Sequence, residues 1–438
     1  MQMKILLLQA FGNPHGTFYD KWIEKIWLLW PSCTLEHLAT VTPANHEVTL
    51  VRSVNERIWK KMSVDSYDLI GISYFTATAS RVYAIADHIR SEGVPVILGG
   101  YHASALPLEA KRHADAVVIG EAEHTWPRLL QDLEKKTLRP FYHQQKPLPA
   151  DTLPCPTGTN RSYSPIGSIE ATRGCVNHCE FCAISHSPMG QQLRLKPIRQ
   201  IVEAVKSMPQ QYFVFMDSSL SLVPGYAKKL FRELQECNKK FACFFNADVA
   251  RDTELLDMAS KAGCIACAIG LETVSQTAID FLGKQSNRVS DYGTLVKSLH
   301  DYGIAVMSSL AFGFDQDTSD IFATTLEKLN EWDVDSTGAN ILTPLPGTAL
   351  FTRLQQEERI LTYDWDEYDL YHVVFEPMKM TTEELYHGTR WFARQFFSAP
   401  SSIAKVFSTL RLGFDSFLAI LEHHITSRLI YRHTFSPR

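Results

Sequence analysis

Long apolar runs are missing from this chain: nowhere do 18 or more apolar residues follow one another, which excludes a membrane-spanning helix on length alone. The start, MQMKILLLQAFG, lacks the charged region, extended apolar stretch and small-residue cleavage site of a secretory signal. It reads as a buried first strand, and the protein as cytoplasmic. An excess of either charge is also absent, since 43 Lys and Arg stand against 48 Asp and Glu for a net charge of -5. That balance removes the global attraction a basic nucleic-acid binder uses, so no nucleic-acid partner is expected. Cysteine is scarce, nine in 438 residues, odd in number and unevenly spaced. A disulfide scaffold is excluded, and a reducing compartment fits. Neither a low-complexity tract nor an internal repeat interrupts a composition that is 45% hydrophobic, enough to bury sizeable cores in two or three domains.

What is present is organised in blocks. Residues 1–135 alternate short apolar runs with amphipathic stretches, the pattern of an α/β fold with a doubly wound parallel sheet. Five strands are expected here: KILLLQA, HEVTLV, LIGISYF, VPVILGG and DAVVIG. Ser73, Thr76, Gly99, Gly100 and Gly120 fall at or just beyond strand C-terminal ends. In an open α/β sheet that edge holds ligands, although tight strand-to-helix turns alone also call for glycine. Residues 136–165, rich in proline and without period, read as a linker. From 166 to 380 six further strands are expected, IGSIEAT, YFVFMDS, ACFFNAD, ACAIGLE, AVMSSLAFG and TGANILTPL, separated by helical segments, which makes a partial (β/α)6 barrel. Residues 381–438 read as a helical C-terminal region.

Three of the nine cysteines, Cys175, Cys179 and Cys182, lie within CVNHCEFC, directly after the first barrel strand. At a cysteine frequency of about 0.02, the chance expectation of a C-x3-C-x2-C pattern in this chain is roughly 0.004. Three close thiolates can hold zinc with a fourth ligand, for which His178 and His186 are at hand, or three irons of a [4Fe-4S] cluster with the fourth iron left open. Zinc ribbons use two separated pairs of ligands, and the remaining C-x2-C, Cys264 and Cys267, lies on a strand where residues three apart face opposite ways. Those two are expected to be core packing, and the open-iron cluster is the better reading.

CVNHCEFC, with Phe181 before its last cysteine, resembles the radical S-adenosylmethionine (SAM) superfamily. Weaker resemblances follow in order: FMDSS with Asp217, IGLETVS with Gly270 and Glu272, then LAFGFDQDT and ILTPLPGT. The resemblance implies that Phe181, Asp217, Gly270 and Glu272 contact SAM. Where related proteins often carry two acids and an Asn, this chain has Asp217, Ser218 and Ser219. LIGISYFTAT, VPVILGGYH and AVVIGEAE resemble the cobalamin-binding domain fused ahead of such barrels, and with WDEYDLYHVVFEPMKMT the resemblance spans nearly the whole chain. It implies cobalamin over Ser73, Thr76, Gly99, Gly100 and Gly120. The Asp-x-His-x-x-Gly sequence that supplies a cobalt ligand elsewhere is absent, and the segment VRSVNERIWKKM contains no histidine.

The activity implied is methyl transfer to an unactivated carbon through a 5'-deoxyadenosyl radical, on a small or lipid-like substrate, with a reductant such as flavodoxin or ferredoxin. Alternatives are a cobalamin-dependent radical cyclase or rearrangement enzyme, and a sensor module that binds cobalamin or a cluster without turnover. A methylthiotransferase acting on transfer RNA needs three more N-terminal cysteines, and only Cys33 and Cys155 precede the triad. His102, Trp365, Tyr368, Tyr371 and His372 are candidates for lining the substrate cavity. From Leu385 onward seven Lys and Arg face only Asp415 and Glu422, so weak contact with an anionic membrane surface is a further expectation.

Overall fold

A computed structural model describes residues 2–10, 33–52, 63–156 and 164–434. The first sheet contains β1 (Lys4–Gln9), β2 (Glu47–Arg52), β3 (Leu69–Ser73), β4 (Val96–Gly99), β5 (Ala116–Ile119) and β6 (Phe141–His143), ordered β2-β1-β3-β4-β5-β6 and parallel throughout. The unbroken apolar run of β1 has a simple cause, since both of its faces are buried. Ile5 and Leu7 pack on Leu35, Trp126 and Leu129, while Leu6 and Leu8 pack on Val82, Ile85 and Ile89 of the helix Ala79–Ser91. β6 corrects the expected linker, because residues 141–143 extend the sheet, and FYH is too short to register as a strand by period. The chain passes from β1 to β2 on one side and then to β3 on the other, so the strand order reverses between β1 and β3. That reversal opens a crevice beyond their C-terminal ends, at Gln9 and Ser73. Most of the histidine-free segment VRSVNERIWKKM, residues 53–62, lies outside the described residues.

The second sheet has all six expected strands: β7 (Gly167–Ile169), β10 (Tyr212–Phe215), β11 (Lys240–Phe245), β12 (Cys264–Glu272), β13 (Ala305–Phe312) and β14 (Ser336–Ile341), parallel and in sequence order. Between β7 and β10 a small antiparallel pair, β8 (Thr172–Arg173) with β9 (Arg194–Leu195), closes the excursion that carries the cysteines. One face of the sheet packs on the intervening helices through an aromatic cluster of Phe213, Phe215, Phe231 and Phe241. The opposite face carries small residues, Ala242, Ala266 and Ala305, which admit Phe417 and Ile420 of the helix Phe414–Thr434. Toward the strand C-termini this face opens, and Ser309 and Met216 are exposed.

Cys264 and Cys267 do not face opposite ways. Both join the same core as Cys243, whose Sγ lies 3.8 Å from that of Cys264. Pairing of β11 with β12 slips between Phe241 and Ala242, so β12 holds one extra residue there and the alternation reverses. The C-terminal helices Thr382–Phe396, Ala399–Ser408 and Phe414–Thr434 form as expected. Their basic residues are partly spent internally, for Lys405 donates to the Val334 carbonyl and Arg411 pairs with Asp333. Beside the half-exposed Arg411 this corner also presents apolar side chains to solvent: Ile403, Phe407, Leu410, Phe414 and Leu418.

Candidate active site between the two sheets

The cysteine loop leaves β8 through Gly174, whose φ is +92°, and a Cβ there would lie 2.3 Å from the Gln192 carbonyl oxygen. Only glycine fits. The Cys175 amide donates to the Gly190 carbonyl at 2.8 Å and the Cys182 amide to the Cys179 carbonyl at 3.0 Å, which fixes the loop before any metal is considered. Glu180, inside the motif, is held by Arg353 at 3.0 and 3.2 Å, and Arg353 reaches on to Asp315 at 2.7 Å. Cys179 is buried and Cys175 and Cys182 are half-buried. Burial pushes the Cys179 thiol up to about 11 and raises that of Cys175, and the Lys284 ammonium opposes both shifts. His186, a potential zinc ligand, turns Nδ1 to the Cys182 carbonyl at 3.0 Å, and His178 is exposed. Among the described residues no three His, Cys, Asp or Glu side chains gather tightly enough to wrap one metal ion. A thiol set spread along one loop beside a buried cation suits a multi-iron cluster, which takes each thiolate on a separate iron.

The residues expected to contact SAM fall into two situations. Gly270 and Glu272 end β12 at a break in its pairing with β13, where Glu272 adopts φ +66°. Lys284, 8% exposed, pairs with the Glu272 carboxylate and donates to the Gly270 carbonyl at 2.8 Å, and Asn287 donates to the same carbonyl at 2.8 Å. Lys284 therefore joins this strand end to the electrostatic field of Cys175 and Cys179. Asp217 is 3% exposed and accepts from the amides of Ala171 and Thr172, so its carboxylate braces the chain entering the cysteine loop. Phe181 packs edge-on to Phe314 at 6.3 Å.

Between the first sheet and the loop lies a cavity of about 530 Å³ at the β1/β3 crevice. Ser73, Gly99, Gly100 and Gly120 line it, as expected of the sheet edge. At Gly100, φ +103°, a Cβ would meet the Tyr74 carbonyl oxygen at 2.7 Å, which keeps this edge flat. Thr76 is buried with its hydroxyl 3.2 Å from His102 Nδ1 and is not on the wall. His102, 1% exposed, also faces Glu109 at 3.4 Å, and Trp365 donates to Glu109 at 2.9 Å. None of His102, Trp365, Tyr368, Tyr371 and His372 lines this cavity. Their aromatic and imidazole groups are taken up by packing and local hydrogen bonds, as for Tyr371 on Tyr431 and His372 on Asp369.

Two features escaped the sequence reading. Phe75 and Tyr101, 41% and 40% exposed, stack at 6.0 Å on the wall and offer a flat aromatic platform. A buried ionic lock also joins the domains across the cavity. Arg173 pairs with Glu123 at 2.6 Å and Glu170 at 2.8 Å, Arg194 clasps Glu121, and Lys196 meets Glu170 at 3.0 Å. Burial alone would raise the pKa of Glu170, but Arg173 and then Lys196 outweigh it and hold the carboxyl well below the usual range. The position of Arg173 two residues before Cys175 was the available signal, but Glu121 and Glu123, its partners in the other domain, lie some 50 residues upstream.

Comparison with known proteins agrees with this geometry. Residues 23–130 match the B12 binding domain and residues 169–329 the radical SAM superfamily. The chain is 28% identical over 411 residues to bacteriochlorophyllide d C-12(1)-methyltransferase of Chlorobaculum tepidum, covering 90% of this chain and 88% of the relative. Its fold is similar to that of the methyltransferase TsrM from Kitasatospora setae, solved with cobalamin and a [4Fe-4S] cluster (15% identity, 90% of this chain and 88% of that one, TM-score 0.66). It is similar too to the cobalamin-dependent enzyme OxsB, solved with aqua-cobalamin and SAM (14% identity, 98% of this chain and 72% of that one, TM-score 0.71). A B12-binding sheet locked onto a three-cysteine radical SAM domain places this chain in the family of cobalamin-dependent, methylase-like radical SAM enzymes, whose cofactors are a [4Fe-4S] cluster, SAM and cobalamin.

Proposed function

We propose that this enzyme methylates an unactivated carbon of a small or lipid-like molecule held between its two domains. The observation that carries the reading is the cavity bounded by a glycine-lined sheet edge on one side and, on the other, by Gly174, Ile184, Ser187, Pro188 and Gly190 of the loop that carries the cysteines. When bound, the cofactors supply hydrogen abstraction by a 5'-deoxyadenosyl radical and a methyl group carried on cobalamin. Cys175, Cys179 and Cys182 hold the cluster. Phe181, Asp217, Gly270 and Glu272 form the SAM side, with Asp217 bracing the loop rather than reaching outward. Ser73, Gly99, Gly100 and Gly120 take the cobalamin side, with Phe75 and Tyr101 as its platform and Thr76 supporting from behind. The ionic lock of Arg173 and Arg194 keeps both sides in register and leaves largely apolar walls, which help to exclude water from reactive intermediates.

The test is anaerobic reconstitution with dithionite, SAM and cobalamin. Formation of both 5'-deoxyadenosine and S-adenosylhomocysteine is expected. 5'-Deoxyadenosine without S-adenosylhomocysteine favours the cyclase or rearrangement alternative, and neither product from a fully loaded protein favours a sensor. No helix among the described residues is long and apolar enough to cross a membrane, and we place the enzyme in the cytoplasm with flavodoxin or ferredoxin as reductant. A weak membrane contact would use the apolar corner around Phe407 and Phe414, and co-sedimentation with anionic liposomes at low salt is its test.

A further inference from the structure

Among the described residues, two polar atoms on the cavity wall have no hydrogen-bond partner. They are His37 Nε2 and Gln9 Oε1, buried atoms of residues that are 5% and 3% exposed. Both residues line the cavity, Gln9 as the last residue of β1 at the crevice and His37 from the helix Cys33–Val41. The proton on His37 is placed by its other nitrogen. Arg173 Nη2 lies 3.2 Å from His37 Nδ1, and a guanidinium only donates, so Nδ1 accepts and the neutral ring carries its hydrogen on Nε2. Burial and the adjacent cations Lys196 and Arg173 keep the second proton off. His37 thus presents an oriented N–H donor with no acceptor among the described residues, and Gln9 an amide end in the same position. Each is a desolvated group of the kind that native structures satisfy with a ligand or water.

The charge of the wall selects the ligand. Arg173 and Arg194, its basic groups, are already taken by Glu121, Glu123 and Glu170, so an anionic partner would meet carboxylates without a free cation. A neutral group with both an acceptor and a donor is what remains: a primary carboxamide. The rim of the corrin ring carries several. We propose that His37 and Gln9 recognise peripheral carboxamides of cobalamin, with His37 donating to a carbonyl and Gln9 pairing with an amide, so that the corrin is oriented by the same histidine that braces Arg173 ahead of the cysteine loop. The proposal rests on cobalamin occupying this cavity.

The test is titration of the full-length, cluster-loaded protein with hydroxocobalamin, followed by the visible corrin spectrum. Gln9→Leu, which leaves Arg173 untouched, and His37→Met should each weaken binding about tenfold, as expected when a buried amide loses its partner. His37→Gln, which can both accept from Arg173 and donate into the cavity, should stay within about threefold of wild type. Hydroxocobalamin with rim carboxamides hydrolysed to acids should bind the wild type at least tenfold more weakly than hydroxocobalamin itself, and the two disruptive variants should discriminate less. Wild-type-like binding by both Gln9→Leu and His37→Met, with iron–sulfur absorbance intact, overturns the proposal. Absence of hydroxocobalamin binding by the wild type would instead remove the cobalamin assignment beneath it.

Discussion

Two trios of cysteine sit in the same domain and have opposite fates. Cys175, Cys179 and Cys182 lie on a loop at strand C-terminal ends, partly open to solvent, with the Lys284 ammonium bearing on Cys175 and Cys179. Cys243, Cys264 and Cys267 are buried among strands, near enough for a 3.8 Å Sγ–Sγ contact between the first two. The charges that bear on Cys243 and Cys267, from Asp217 and Asp335, are negative and reinforce burial in keeping the thiols protonated. Proximity of thiols is therefore not what makes a cluster site. A thiolate needs a compensating charge and access for metal; the loop trio, our proposed cluster ligands, has a nearby cation and partial exposure, and the strand trio has neither.

The widest break in this comparison comes from removing thiols one at a time. Cys175→Ala, Cys179→Ala and Cys182→Ala should each abolish the visible absorbance of the reconstituted cluster and lower SAM cleavage by roughly a thousandfold or more. Cys243→Ala and Cys267→Ala should keep the full absorbance and lose only about 1–2 kcal/mol of stability, the cost of a small core cavity, measured by denaturant unfolding. Loss of the cluster in a strand variant with normal stability would erase the distinction.

How much of this was legible follows from the range of the interactions. β1 could be read from KILLLQ because burial on both faces leaves an unbroken apolar run, and the loop trio because its ligands are neighbours in sequence. The strand trio was misread at one point, since a slip in β-pairing is set by the partner strand and leaves no mark on the alternation of β12 itself. Arg173 meets Glu123 across 50 residues and Arg353 meets Glu180 across 173. Pairings over such distances are decided by the assembled fold. The same holds for His102, which stood at a strand end and was free by pattern to line the substrate cavity, but which the fold turns inward onto Thr76 and Glu109.

Lys284 sharpens the comparison, because it is the charge that separates the trios. Lys284→Met removes a buried cation near the cluster thiolates and leaves Glu272 without its partner. The reduced cluster carries the greater negative charge, so its midpoint potential should fall, by roughly tens of millivolts, in an anaerobic redox titration followed by electron paramagnetic resonance. The double variant Lys284→Met with Glu272→Gln removes both charges and should return the potential part of the way. Stability should follow the same order, since a lone buried carboxylate costs about 3–5 kcal/mol and removal of the pair much less. An unchanged potential in Lys284→Met would mean that the lysine serves packing alone.

The smallest effect concerns Asp217, which stands between the trios: it accepts from the amides of Ala171 and Thr172 leading to the loop, and its charge bears on Cys243. Burial pushes its carboxyl up to about 7 from a usual value of 3.8. The folded protein then keeps a proton that the unfolded chain has already lost, so this contribution to stability is fully present below pH 3.8 and disappears as pH rises through about 7. Asp317, also buried and pushed up to about 7, adds a slope of the same sign. His423, lowered by burial to about 4 from 6.5, and His37 and His424, lowered likewise, act in the opposite direction and are neutral in both states only above about pH 7.5. Between about pH 6.5 and 8 the two aspartates should therefore pull the melting temperature down, with Asp217 accounting for roughly 1 kcal/mol. Asp217→Asn should remove about half of that slope. If the slope is unchanged, Asp217 is already ionised in the folded protein, and the amides of Ala171 and Thr172 stabilise its charge more strongly than burial opposes it.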